Sequence, residues 1–83
     1  MCDDIHKESC DLNVDENIIE MIRELMVGQC QTRCGANPEC NWFTWFPVSG
    51  LLGNCWLLEH CEEFEACPEC ISGPGTGVDV DDC

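Results

Sequence analysis

Eighty-three residues with ten cysteines form at most one small domain, whose core is marginal without cross-links. That cysteine content belongs to disulfide scaffolds, which persist in oxidising compartments, and predicts a secreted, extracellular protein. Seventeen acids stand against Lys7, Arg23 and Arg33, giving a net charge of −14; this excludes nucleic acid as a partner and disfavours anionic membranes.

No apolar run reaches the ~18 residues of a membrane span, so no membrane insertion is expected. Met1 is followed at once by Cys2-Asp3-Asp4, without the basic end and apolar run of a secretory leader. The chain therefore reads as a processed form or one with its own start.

Residues 1–14 are polar and acidic with no usable period, and are expected to form an arm tied down by Cys2 and Cys10. From Asp15 to Met26, Ile18, Ile22, Leu25 and Met26 fit the stripe of a helix, although Ile18 to Ile22 also reads as a short buried strand. Pattern alone favours the helix. Cys30 and Cys34 follow at helical spacing, and Gly35 and Asn37-Pro38 supply stop signals.

Cys40-Asn41-Trp42-Phe43-Thr44-Trp45-Phe46 is the strongest strand signal, with Trp42, Thr44 and Phe46 on one face and Phe43 and Trp45 on the other. Both faces are aromatic and both need cover, or one is left for a partner. Pro47 to Gly53 reads as a hairpin connection longer than the minimum, and Asn54 to Glu59 as the returning strand. Cys61 to Cys70 is too tightly punctuated for a long element. Ile71 to Pro74 reads as a last short strand before an acidic tail that Cys83 is expected to pin.

His6 and His60 stand in no convincing relation to a nucleophile, so no enzyme, cofactor or metal is predicted. Cys67-Pro68-Glu69-Cys70 has the spacing of a redox motif or half a zinc site, and Cys30, Cys34, Cys67 and Cys70 form an imaginable zinc set. In a scaffold so crowded with cysteines, half-cystines are the simpler reading. The acidic clusters at Glu59 to Glu69 and Asp79 to Asp82 lack the loop of an EF-hand and read as solvated surface. Trp42, Trp45, Phe46 and Trp56 are the aromatic candidates for a sugar platform or a protein anchor, joined by the apolar loop residues Val48, Leu51 and Leu52.

Cys30-x3-Cys34, then Asn37-Pro38-Glu39-Cys40-Asn41-Trp42-Phe43-Thr44-Trp45, then Cys55-Trp56-Leu57-Leu58, then Ser72-Gly73 and a late cysteine resemble the PAN/Apple domain. The likeness is greatest to its ten-cysteine variety, found as secreted arthropod modules. It runs from about Asp15 to Cys83. The resemblance implies a small disulfide-rich α+β fold in which one helix packs across an antiparallel sheet. It places strands near 17–23, 40–47, 54–59 and 70–73 and the helix near 26–36, which displaces the pattern-based helix at 16–26.

Ten cysteines allow about 945 pairings. The resemblance implies Cys30–Cys55 and Cys34–Cys40, a bridge joining the termini from Cys83 to Cys2 or Cys10, Cys61–Cys67, and Cys70 with the remaining N-terminal cysteine. It also implies non-catalytic recognition of an extracellular protein or glycan. The alternative is a structural subunit that binds copies of itself and assembles into filaments or matrix.

Overall fold

The computed structural model describes residues 4–10 and 15–82. In chain order these form β1 (Glu8–Cys10), a 3-10 turn (Asp15–Asn17), β2 (Ile18–Leu25), α1 (Val27–Ala36), β3 (Trp42–Ser49), β4 (Leu52–Leu58), β5 (Phe64–Ala66), β6 (Ile71–Pro74) and a second 3-10 turn (Val80–Asp82). Strands β2-β4-β3-β6 make one antiparallel sheet, and β1 and β5 make a second, two-stranded one. The result is a small α+β fold with α1 packed across the larger sheet.

The segment whose spacing favours a helix is the edge strand β2. Its apolar residues serve both faces: Ile22 and Leu25 lie opposite Cys55 and Gly53, while Ile18 and Met21 lie opposite Leu58 and Trp56. The helical stripe is therefore a coincidence of a strand with apolar neighbours on both sides. Asn17, fully buried, anchors its start by donating through Nδ2 to the His60 carbonyl at 2.7 Å and accepting the His60 N–H at 2.9 Å.

Cross-strand partners share a face. On the helix side, Phe43 and Trp45 of β3 and Cys55 and Leu57 of β4 pack with Cys30 and Cys34 of α1 and with Cys40 and Val80. Gly35 and Gly75 let helix and chain touch here, because a methyl group on either would meet backbone atoms of the other. Buried Gln31 then ties down the C-terminal segment. Its Nε2 donates to the carbonyls of Pro74 and Val78, and its Oε1 accepts the Val80 N–H at 2.7 Å.

The opposite face of β3 is covered by the N-terminal segment. Thr44 and Ser72 are cross-strand neighbours with hydroxyls 2.8 Å apart. Ser72 Oγ donates to the Glu8 carbonyl, so it accepts from Thr44 Oγ1, which in turn accepts the Cys10 N–H at 3.3 Å. His6 exchanges two backbone hydrogen bonds with Ser72, each 2.8 Å. The arm expected to be tied down by its cysteines thus carries β1.

The hairpin connection is the minimum, not a longer loop. β3 runs to Ser49 and β4 starts at Leu52, leaving Gly50-Leu51 as a two-residue turn with φ +59° at Gly50. Pro47 is tolerated because β6 pairs only with Trp42 to Trp45, so beyond Trp45 β3 has no neighbour on that side.

Four disulfides join described residues: Cys10–Cys61, Cys30–Cys55, Cys34–Cys40 and Cys67–Cys70. The two helix bridges are those implied by the resemblance. Cys61–Cys67, Cys70 with an N-terminal cysteine, and Cys83–Cys10 are not formed. Extended β5 separates Cys61 from Cys67, and the pairing of Cys10 with Phe64 brings Cys61 to Cys10 instead. Cys67 and Cys70 flank a turn closed by the Cys70 N–H on the Cys67 carbonyl at 3.0 Å. Cys2 and Cys83 lie outside the described residues.

Loop-closure entropy gives about 2 kcal/mol for Cys67–Cys70, about 3.5 for Cys30–Cys55 and about 4 for Cys10–Cys61. The last two differ by less than the cavity left when two wholly buried core sulfurs are removed. Paired alanine substitutions, followed by thermal unfolding, should therefore lower Tm most at Cys30 and Cys55 and least at Cys67 and Cys70. A greater loss at the latter pair would contradict this ranking.

Candidate functional site

At one end of the larger sheet the β3–β4 turn projects Leu51, 76% exposed, with Val48, 63% exposed, and Leu52 beside it. These three are where an apolar contact surface was expected. Arg23, Glu24, Val48, Ser49, Leu52, Gly53 and Asn54 line a groove at this end. Met26 also leaves its side chain exposed where the chain passes from β2 into α1. Its backbone N–H donates to Gln29 Oε1 at 3.0 Å, so the helix start is capped without using the methionine side chain.

Glu24 lines the groove. It is the one non-glycine among the described residues with positive φ, at +61°, and it sits where the β2–β4 register breaks between Ile22 and Leu25. This bulge places two exposed charges of opposite sign, Arg23 and Glu24, along the groove with Val48 and Leu52.

The aromatic candidates do not join this surface as a group. Trp45 is only 7% exposed and belongs to the core, where its Nε1 donates to the Leu25 carbonyl at 2.8 Å, so it is corrected from contact residue to core residue. Phe46 and Trp56 are half-buried on the face opposite α1, Trp56 between Thr44 and Met21 on the neighbouring strands.

Trp42, also half-buried, stands with Phe64 and His6 in an aromatic group whose association the sequence does not announce. Phe64 stacks on His6 with centroids 4.2 Å apart and meets the Trp42 ring edge-on at 6.0 Å. The Trp42 indole N–H is buried and has no hydrogen-bond partner among the described residues. The signal for this group was one phenylalanine and one histidine in polar segments, with nothing in their spacing to link them.

Among the described residues no group of three or more His, Cys, Asp or Glu is placed to hold a metal ion. Cys30, Cys34, Cys67 and Cys70 stand in three different bridges rather than around a shared centre. No helix among the described residues is long and apolar enough to cross a membrane. Comparison of the chain with protein-family models, with characterised proteins and with solved structures gives no match.

A left-handed L-residue costs roughly 1–2 kcal/mol, and glycine returns about 0.5–1 of that as unfolded-state entropy. Glu24→Gly should therefore raise stability by about 0.5–1 kcal/mol, a Tm gain of a few degrees. An unchanged or lower Tm would show that Glu24 makes compensating contacts.

Proposed function

We propose that the chain is a secreted, non-catalytic recognition module of PAN/Apple type that binds an extracellular protein through its hairpin end. The observation that carries this reading is the gathering of Val48, Leu51 and Leu52 at one exposed end of the sheet, while Trp45, Phe43, Leu57 and Leu58 are buried. A tight turn that displays apolar side chains contributes nothing to the core, and such patches mark contact surfaces.

Protein is favoured over glycan because a sugar platform needs an open ring face. Trp45 lies in the core and Trp42 is occupied by Phe64 and His6. The order of strands and helix, with the two helix bridges, is what the PAN/Apple resemblance implies and supports that assignment. Disulfides in this number support an oxidising, extracellular location. The net charge of −14 favours a partner with basic residues around an apolar contact. It opposes self-assembly, since copies of the chain repel one another.

The test places wild-type protein and a Val48→Ser/Leu51→Ser variant side by side against extracellular protein fractions and a glycan array. The expected result is a protein retained by wild type and weakened about tenfold or more in the variant, as for a central apolar contact, with no glycan bound. Glycan binding, or protein binding indifferent to the variant, would contradict it. Light scattering in parallel should give the 9.3 kDa monomer at all concentrations, and a mass that grows would favour the structural subunit instead.

A further inference from the structure

We propose that Cys67–Cys70 is a thiol-exchange site, a bridge that an external thiol opens and that an external disulfide recloses while the protein stays folded. It spans a sequence separation of only 3, against 25 for Cys30–Cys55 and 51 for Cys10–Cys61. Of the four bridges between described residues it therefore restricts the unfolded chain least. Its geometry also does not depend on the sulfur bond. Pro68 and Glu69 form a turn closed by the Cys70 N–H on the Cys67 carbonyl, and Cys70 leads directly into β6, held by its ladder to β3.

Access gives the reaction a direction. Cys67 is partly exposed between exposed Ala66 and Pro68, whereas Cys70 is 2% exposed. An external thiolate therefore attacks Cys67 Sγ. The Cys67–Cys70 bond breaks, its electron pair leaves on Cys70 Sγ, and that sulfur takes a proton from water. A second thiolate then attacks the external sulfur of the mixed disulfide and releases Cys67 as a thiolate. Two external thiols are thereby oxidised to one disulfide as the protein bridge gains two electrons, and an external disulfide reverses the sequence.

Cys30, Cys34 and Cys55 are wholly buried and Cys40 nearly so, which closes their bridges to attack. Cys10–Cys61 is the nearest rival, since Cys61 is partly exposed like Cys67 and each bridge has one buried sulfur, but its opening frees the longest loop of the four. The thiol class that fits is neutral or cationic. Glu69 lies within the turn and the chain carries a net charge of −14, so an anionic thiol approaches against repulsion.

The experiment exposes folded protein separately to mercaptoethylamine and to glutathione for graded times, then alkylates it and maps modified cysteines by mass. Cys67 and Cys70 should be modified about tenfold or more faster than any other described cysteine, with the circular dichroism unchanged. Added salt should speed the glutathione reaction and not the mercaptoethylamine reaction. In Cys70→Ser, incubation with oxidised glutathione should leave a glutathione adduct on Cys67, while Cys67→Ser should leave none on Cys70. Earlier opening of Cys10–Cys61, or opening of all bridges together with loss of dichroism, would overturn the proposal. So would a glutathione adduct that forms on Cys70 rather than on Cys67.

Discussion

Everything in this fold follows from one constraint: β3 carries large side chains on both faces and cannot leave either bare. The helix satisfies one face by apolar packing around Phe43 and Trp45. The other is satisfied by a polar device, the hydroxyls of Thr44 on β3 and Ser72 on the neighbouring edge strand β6, both wholly buried. A buried hydroxyl without a partner costs about 1–3 kcal/mol. The relay from the Cys10 N–H through Thr44 and Ser72 to the Glu8 carbonyl satisfies both and fixes where β1 must lie. Once β1 is placed, β5 can pair with it, Phe64 reaches His6 and Trp42, and Cys10 meets Cys61.

The cross-links divide along the same lines. Cys30–Cys55 and Cys34–Cys40 bind the helix into the apolar layer, Cys10–Cys61 fastens the polar cover, and Cys67–Cys70 spans only a turn. Among the described residues, the most exposed large apolar side chains, Leu51 and Val48, stand at the hairpin end. The proposed contact surface and the proposed exchange site then fall on separate turns, Gly50-Leu51 and Pro68-Glu69.

Much of the larger sheet was legible because β-branched and aromatic residues mark β3 and β4 directly. The helix carrying Cys30 and Cys34 and the strand β2 were placed by the PAN/Apple resemblance rather than by periodicity, which misassigns Ile18 to Leu25. The three-residue strands β1 and β5 were not legible, since Glu8-Ser9-Cys10 and Phe64-Glu65-Ala66 are too short to establish a period and pair with each other. Disulfides that depend on that pairing were lost with it. Val48, Leu51 and Leu52 were recognisable as apolar residues in a turn, whereas the positive φ of Glu24 arises from a register break that no local residue type announces.

The most direct measurement is amide hydrogen exchange on Thr44→Val beside wild type. Valine keeps the shape of the side chain and removes the hydroxyl that receives the Cys10 N–H and supplies Ser72. If the relay holds the cover, the amides of His6 and Cys10 lose protection while those of the β3–β4 ladder keep theirs. Unchanged protection at Cys10 and His6 would contradict it, and would mean that Cys10–Cys61 and the His6–Ser72 backbone bonds hold the second face without the hydroxyls.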